Sequence, residues 1–392
     1  MKIKVFSMML AMATALVCGC SSEETTHANS NSAAADKIME NINSIREDSG
    51  AVQNVEVNPV EEILNQMTLE EKIGQMMIFG FHGTATNDDI NWMLANYHSG
   101  GIIFFDRNME NKSQMKLLTA KLNEVANEKV PLFFAIDEEG GRVYRMGHDL
   151  TPPPSQEEIG RTGDPTQAYN SANSIAQELK EMGINLNFAP VADVGTRDTR
   201  SFSDDGNTVA EFVSQAAKGY EDAGIFYCLK HFPGIGLGQV DSHKDISTIT
   251  GDRYTFDTID LVPFKKIIAE QDNAKFMIMV SHYKYTAFDA ENSATLSPAV
   301  MTDLLRNELG FKGVIVTDDL NMGAVSKYHD EKYLSVQAVK AGVDIILSCH
   351  EYEKQRKMYE GIFEAVKNGE ISEERINDSV RRILTMKLAL MK

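Results

Sequence analysis

Short apolar runs alternate with helix-period segments along most of the chain, and this alternation limits the folds that the chain can adopt. Each run is continuously apolar, which indicates strands buried on both faces of a parallel sheet that helices cover. Segments with helical periodicity, such as 114–127 and 209–223, separate most of the runs. The runs are 77–81, 101–105, 132–136, 186–194, 225–229, 276–280, 313–316 and 343–347.

Eight such runs in residues 59–392 fit a single (β/α)8 barrel, and a doubly wound sheet is the alternative. Polar residues lie where five of the runs end, and they include Asp137, Asp193, Lys230, His282 and Asp318. Barrels place their active sites at the carboxyl ends of their strands. The pattern therefore predicts an enzyme.

The N-terminal segment has the pattern of a targeting signal. Lys2 and Lys4 precede an apolar run over residues 5–17, which is too short to span a bilayer as a helix. The sequence Val-Cys-Gly-Cys over residues 17–20 resembles a bacterial lipobox, which predicts a signal peptide over residues 1–19 and a lipid on Cys20. An ordinary secretory signal that is cut nearby remains the alternative.

The residues that follow predict a tether between the membrane and the barrel. Residues 20–58 are rich in Ser, Asn, Ala and Glu, and we expect them to be disordered. The protein would then be extracytoplasmic and would contact the membrane only through its lipid.

The net charge of −19 argues against a nucleic acid or an anionic membrane surface as the main partner. Cys228 and Cys349 lie in apolar runs and read as small buried hydrophobic residues. No disulfide framework or metal-ligand spacing is present in the sequence. We therefore expect no metal and no cofactor, and we expect a monomer.

The stretch over residues 225–245 combines a strand with a glycine-rich loop. The strand ends in Lys230 and His231, and the loop contains Gly234, Gly236 and Gly238 before Asp241 and His243. A glycine loop after a strand can indicate a nucleotide site, but no helical pattern follows this one. The stretch instead delivers a carboxylate and an imidazole to the strand end.

Residues 230–243 resemble the Lys-His-Phe-Pro-Gly-His-Gly-x4-Asp-Ser-His signature of glycoside hydrolase family 3, in its β-N-acetylglucosaminidase (NagZ-type) branch. One position departs from this signature, because Ile235 stands where the branch usually has histidine. Residues 313–322 resemble the nucleophile strand of the same family. Residues 137–145 resemble its Asp-x-Glu-Gly-Gly-Arg-Val-x-Arg segment.

The resemblance implies a retaining mechanism with two catalytic groups. Asp318 occupies the position of the nucleophile, and Asp319 is assigned a structural role because neighbours on a strand point to opposite faces. His243 occupies the position of the general acid/base. Asp241 is its partner, since a carboxylate beside an imidazole orients the ring and stabilises its protonated form.

The resemblance also implies a small polar pocket around one sugar. Glu139 and Arg142 are assigned to ion pairing or packing rather than to direct sugar contacts. His282 ends a strand, and roles in the pocket, the core and the rim all remain open. The residues expected to bind sugar hydroxyls are Asp137, Arg145, Arg200, Lys230 and His231.

The activity implied is that of an exo-acting β-N-acetylglucosaminidase (β-N-acetylhexosaminidase) that cleaves terminal GlcNAc from peptidoglycan fragments or related oligosaccharides. The covalent intermediate could pass to phosphate instead of water, so a phosphorylase remains an alternative. A β-glucosidase of the same fold is another alternative. A lipoprotein that binds glycan without cleaving it is the alternative from a different class, although a pure binder needs neither Asp318 nor the Asp241–His243 pair.

Overall fold

The computed structural model describes residues 58–126, 130–145, 149–150, 152–196, 198–236 and 247–389. The predicted signal peptide, the lipidation site Cys20 and residues 20–57 of the tether lie outside these residues, as do Asp241 and His243. Within the described residues, eight parallel strands form one sheet. We number them β1 (Met77–Gly80), β2 (Gly101–Phe104), β3 (Phe133–Ile136), β4 (Leu186–Asn187), β5 (Phe226–Phe232), β6 (Phe276–Val280), β7 (Val314–Thr317) and β8 (Ile346–Ser348).

The sheet curls into a barrel, because its two end strands also meet. Strands β1 to β7 pair with their sequence neighbours, and β8 pairs with β1. A parallel bridge between Val316 and Ile345 joins β7 to the residue before β8. The Thr317 N–H donates to the Ile345 carbonyl at 3.0 Å there. Each predicted run overlaps one of these strands, so the predicted (β/α)8 barrel is confirmed and the doubly wound alternative is wrong.

Helices follow most strands and cover the outside of the barrel. The helix Leu69–Gln75 begins where the sequence indicates, because Thr68 is its N-cap residue. Its hydroxyl accepts from the Glu71 N–H at 3.2 Å, and the Glu71 carboxylate accepts from the Thr68 N–H at 2.7 Å. The helices of seven or more residues are Pro59–Gln66, Leu69–Gln75, Asp88–Tyr97, Lys112–Ala126, Thr166–Glu181, Gly206–Ala223, Val262–Glu270, Ala299–Glu308, Glu331–Ala341, Tyr352–Lys367 and Glu373–Ala389.

Shorter elements complete the described fold. Helical turns form at Asp106–Asn108, Gln156–Arg161, Arg253–Thr255, Phe256–Asp260, Ala294–Leu296 and Gly323–Ser326. Among the described residues, no helix combines the length and the apolarity that crossing a membrane requires.

A small second sheet lies after β5 and β6, and the sequence pattern does not predict it. Its strands are Thr248–Ile249, Lys284–Tyr285 and Asp289–Ser293, which are too short and too polar to show a period. The buried Tyr285 hydroxyl donates to the Gly234 carbonyl at 3.0 Å and lies 2.7 Å from the Ser281 hydroxyl. The small sheet thereby connects the residues that follow β5 with those that follow β6.

A buried carboxylate connects β7 to the C-terminal helix. Asp344 accepts from the Ile315 N–H at 2.9 Å and from the Ser379 hydroxyl at 2.7 Å. It also pairs with Arg306 and with Arg382, whose guanidinium lies 3.0 Å away. Burial alone would raise the pKa of Asp344, but the surrounding guanidinium groups lower it below its ordinary value.

Replacing Asp344 with Asn should destabilise the barrel strongly, because it would leave buried guanidinium groups without a counter-charge. Breaking a buried ion pair typically costs ~3–5 kcal/mol, and urea unfolding of Asp344→Asn would measure the change. The matched control is Glu370→Gln, which removes an exposed ion pair with Lys340. That control should change the free energy of unfolding by less than ~1 kcal/mol. Equal effects of the two substitutions would contradict this account.

Candidate active site

A cavity of about 430 Å³ opens at the carboxyl ends of the barrel strands. It collects side chains that are far apart in sequence, because the strands contribute residues at their carboxyl ends and directly after them. Every described residue that the sequence predicts for the site lines this cavity, namely Asp137, Arg145, Arg200, Lys230, His231 and Asp318. Other residues of its wall are Phe105, Glu139, Ile235, His282, Asp319 and His350.

Asp318 directly follows β7 and is held by backbone contacts. Its N–H donates to the Val280 carbonyl at 3.1 Å, and its Oδ1 accepts from the Asp319 N–H at 2.8 Å. Burial alone would raise its pKa, but the neighbouring imidazoles of His231 and His282 outweigh that effect and lower the pKa below its ordinary value. The carboxylate is therefore ionised at neutral pH.

The adjacent carboxylate of Asp319 serves the backbone. Its Oδ1 accepts from the N–H groups of Asn321 and Cys349, at 3.1 and 3.2 Å. Its Oδ2 lies 3.5 Å from Nε2 of His350. Burial, followed by the nearby charge of Asp318, raises its pKa to about 6. This arrangement supports the structural role that the sequence assigns to Asp319.

Glu139 is the centre of a buried ion cluster. Its carboxylate accepts two hydrogen bonds from the Arg200 guanidinium, both at 2.8 Å. The Lys230 ammonium lies 2.6 Å from Glu139 and 2.7 Å from Asp137. Burial would raise the pKa of Glu139, but the two cations lower it well below its ordinary value. The predicted sugar-binding residues Arg200 and Lys230 thus share one counter-ion.

The partner of Arg142 differs from that of Glu139. The Arg142 guanidinium pairs with Asp198 at 2.5 Å and is largely exposed. Both residues therefore make ion pairs, as the sequence suggests, but with different partners. Only Glu139 organises the cavity, and the signal that could have identified it is its position two residues after Asp137, on the same face of an extended chain.

Arg145 lies at the mouth of the cavity beside Asp137. Its guanidinium is 3.7 Å from the Asp137 carboxylate and 3.6 Å from that of Asp106. It also lies over the ring of Phe105, at 5.3 Å from the centroid. Asp137 therefore lies between two cations, Arg145 and Lys230, which can hold its oxygens toward sugar hydroxyls.

Asp193 positions His231, a role that the sequence pattern does not reveal. Its Oδ2 lies 2.8 Å from Nδ1 of the ring, and its Oδ1 accepts from the His231 N–H at 3.1 Å. The same Oδ1 accepts from the Ile235 N–H at 2.9 Å. Asp193 therefore orients the imidazole and also holds the start of the loop that contains Ile235. The peptide bond between Lys230 and His231 is cis.

Glu138 points away from the cavity, between two residues that face it. Its Oε2 accepts from the Arg145 N–H at 2.8 Å, whereas Oε1 has no hydrogen-bond partner among the described residues. Its backbone N–H and carbonyl both bond the side-chain amide of Asn187, at 2.9 Å each. Burial raises the pKa of Glu138 to about 8, although the Arg145 N–H opposes the rise. Glu138 is therefore largely protonated at neutral pH.

Neither cysteine of the described residues is a reactive thiolate. Cys228 and Cys349 are both buried, and burial raises the pKa of each thiol well above its ordinary value. No group of three or more His, Cys, Asp or Glu side chains in the described ranges has an arrangement that could hold a metal ion.

Residues 68–386 match the protein family described as "Glycosyl hydrolase family 3 N terminal domain". "Beta-hexosaminidase A" of Pseudoalteromonas piscicida is 34% identical over 338 residues, which cover 78% of this chain. This chain spans only 56% of the length of that relative. "Beta-hexosaminidase" of Nitrosomonas eutropha is 33% identical over 290 residues, and the match covers 71% of this chain and 81% of the relative.

A solved structure shows a similar fold. A glycoside hydrolase family 3 β-N-acetylglucosaminidase from Paenibacillus sp. superimposes with a TM-score of 0.80 at 39% sequence identity. The superposition covers 83% of this chain and 63% of the Paenibacillus protein.

Glu138 should make the stability of the protein depend on pH. Because its pKa is higher in the folded than in the unfolded state, the folded state binds more protons between pH 4.5 and 8, and stability falls as the pH rises through that window. Glu138→Gln removes the titration and keeps an acceptor for the Arg145 N–H. We expect it to be ~4 kcal/mol more stable than the wild type at pH 8.5 and within ~1 kcal/mol of it at pH 5.

Urea unfolding at the two pH values would measure the difference. Glu158→Gln is the control, because Glu158 is an exposed carboxylate whose pKa is lowered by hydrogen bonds from Ser155. Glu158→Gln should not be more stable than the wild type at pH 8.5. A difference between Glu138→Gln and the wild type that did not change with pH would contradict the raised pKa.

Proposed function

The chain belongs to glycosyl hydrolase family 3, and we propose that it is a retaining, exo-acting β-N-acetylglucosaminidase. The observation that carries the proposal is the carboxylate of Asp318, whose pKa is lowered, in a cavity lined by Asp137, Arg145, Arg200, Lys230 and His231. Relatives that are about a third identical to this chain over the aligned residues are named β-hexosaminidases, which supports the same activity. The substrate would be a terminal GlcNAc residue of peptidoglycan fragments or related oligosaccharides.

In the first step, Asp318 attacks the anomeric carbon of the sugar. Its Oδ1 accepts the Asp319 N–H, which leaves Oδ2 to form the new bond to carbon. The bond from that carbon to the leaving oxygen breaks as the leaving oxygen gains a proton. The product is a glycosyl ester of Asp318.

We assign the proton transfer to His243 with Asp241 as its partner, on the strength of the family signature around residues 230–243. His243 would protonate the leaving oxygen in the first step. It would then deprotonate the water that attacks the glycosyl ester, which releases the sugar and restores Asp318. Ile235 in place of the usual histidine changes the loop before this pair.

Sugar recognition would rest on the ion clusters that surround Asp318. Asp137 can accept hydrogen bonds from hydroxyl groups, whereas Arg145, Lys230 and Arg200 can donate to them. Their mutual ion pairs hold these groups in place before the sugar arrives, so that little side-chain entropy is lost on binding. His231, oriented by Asp193, would provide a further polar contact.

We further propose that the protein is an extracytoplasmic lipoprotein that acts as a monomer. Cleavage before Cys20 and attachment of lipid there would anchor it, and residues 20–58 would separate the catalytic barrel from the membrane. This proposal rests on the charge and apolar pattern of residues 1–20.

Loss of the nucleophile should abolish turnover. With the p-nitrophenyl β-glycoside of GlcNAc as substrate, the wild type should release p-nitrophenol, and Asp318→Ala should lower kcat/KM by at least ~10³-fold because no glycosyl ester can form. The measurement is the absorbance of released p-nitrophenol.

Asp319→Asn is the matched control, because an amide oxygen can still accept the N–H groups of Asn321 and Cys349. It should retain most of the activity, and a loss as large as that of Asp318→Ala would overturn the assignment of roles. Adding phosphate should leave free GlcNAc as the product, whereas GlcNAc 1-phosphate would establish the phosphorylase. Equal turnover of the matching glucoside would indicate a β-glucosidase, and no turnover by folded wild type would favour the glycan-binding lipoprotein.

If Cys20 carries the lipid anchor, replacing Cys20 should remove the protein from the membrane fraction. In a bacterial host that processes lipoproteins, the wild type should sediment with membranes and incorporate labelled fatty acid. Cys20→Ala should do neither, because it lacks the acceptor sulfur, and Cys18→Ala should behave as the wild type. Fatty acid on the Cys20→Ala variant, or none on the wild type, would contradict the proposal.

A further inference from the structure

His282 is buried beside the nucleophile, and both nitrogens of its ring have close polar neighbours. The side chain follows β6 and is 1% exposed. Its Nε2 lies 3.0 Å from the carbonyl oxygen of Asp319, and its Nδ1 lies 2.7 Å from the hydroxyl oxygen of Thr295. The protons on these two nitrogens can be assigned from what each neighbour is able to donate.

The proton on Nε2 follows from its partner. A carbonyl oxygen can only accept, so Nε2 must carry a proton and donate it to Asp319. This hydrogen bond holds the peptide that follows Asp319.

The proton on Nδ1 follows from the contacts of Thr295. Its hydroxyl has one proton and lies 2.9 Å from the carbonyl oxygen of Ser281, which can only accept. If the hydroxyl donated to His282 instead, this hydrogen bond to the buried Ser281 residue would be lost, and a lost hydrogen bond of this kind is costly. The hydroxyl therefore donates to Ser281 and accepts from Nδ1, so that His282 carries protons on both nitrogens.

The surroundings of Asp318 agree with this assignment. The His282 ring interacts electrostatically with the Asp318 carboxylate, and a positive charge on the ring lowers the pKa of that carboxylate.

His231, the other imidazole near Asp318, donates from Nδ1 to Asp193, and its Nε2 lies 3.5 Å from the Arg200 guanidinium. Of these two rings, His282 is the one whose two nitrogens both face acceptors, which are the Asp319 carbonyl and the Thr295 hydroxyl.

We propose that His282 is a doubly protonated imidazolium that stabilises the ionised carboxylate of Asp318 and thereby speeds release of the sugar from it. The charged group that interacts with the ring from the β7 side is Asp318. His282 is a positioning residue, since it acts through the nucleophile. The kinetic part of the proposal rests on the proposed glycosidase function, whereas the protonation state does not.

The positive charge should act in opposite directions on the two chemical steps. Asp318 loses its negative charge when it forms the glycosyl ester, and it regains that charge when water cleaves the ester. A neighbouring cation favours the ionised form, so it makes Asp318 a better leaving group in the second step and a slightly weaker nucleophile in the first. Removing the charge should therefore slow hydrolysis of the ester more than its formation.

Nitrogen NMR of the resting protein tests the protonation state directly. In protein labelled with ¹⁵N-histidine, the His282 ring, assigned by its absence from His282→Gln, should show two protonated nitrogens at pH 7. Thr295→Ser keeps the hydroxyl and should keep both protons. Thr295→Val lacks the acceptor for Nδ1 and should yield a singly protonated ring. A singly protonated His282 in the wild type at pH 7 would overturn the proposal, whether or not the protein is a glycosidase.

Kinetics of His282→Gln test the consequence for catalysis. The glutamine amide can still donate to the Asp319 carbonyl but carries no charge. We expect kcat for the p-nitrophenyl glycoside to fall up to about tenfold, with KM falling in parallel and kcat/KM nearly unchanged. The acid limb of the kcat/KM profile should move up by about one pH unit.

Intact mass spectrometry adds a readout that a purely structural role would not move. Under turnover, His282→Gln should accumulate enzyme that carries one covalently bound N-acetylhexosamine, and the wild type should not. A parallel loss of kcat and kcat/KM without this adduct would contradict the proposed role in the second step. If NMR showed a doubly protonated His282 but neither the wild type nor any variant turned over the glycoside, the charge assignment would stand and the proposed glycosidase function would be rejected.

Discussion

The carboxylate of Glu139 is the interaction on which the sugar-binding half of the site depends. It holds Arg200 through two hydrogen bonds and Lys230 through a third contact, and Lys230 in turn holds Asp137. All of these groups are largely buried, and a buried charge without a partner is far more costly than a paired one. The cluster therefore forms only when β5 and the loops after β3 and β4 are all correctly placed, which links the folding of the barrel to the formation of its cavity.

The two sides of the cavity use charge for different purposes. Around Asp137, opposing charges are paired so closely that they mainly fix geometry. Around Asp318, backbone donors and neighbouring imidazoles keep a buried carboxylate ionised although burial favours its protonated form. Glu138 lies next to these clusters, and burial raises its pKa to about 8 although Arg145 opposes the rise. Environment rather than residue type thus separates carboxylates that are adjacent in the sequence.

Much of the barrel could be predicted from the sequence, because continuous apolar runs are a local signal. Each of the eight runs overlaps a strand, and the helix at Thr68 begins where its capping box predicts. The strand bounds were less accurate: the run 186–194 yields only Leu186–Asn187 as regular strand. The small sheet with Tyr285 was not predicted, since strands of two to five residues show no period. Their pairing depends on residues that are distant in the chain.

The candidate site also has features that the sequence predicts and features that it does not predict. The sequence by itself determined the barrel and, through motifs and strand ends, which residues reach the cavity, because both depend on patterns of neighbouring residues. Only the tertiary structure decided which charges pair, as with Arg200 on Glu139 and His231 on Asp193. It also placed Thr295 and Asp319 against the two ring nitrogens of His282. These contacts join residues that different strands bring together, and their energies depend on distance and burial, which no local pattern encodes.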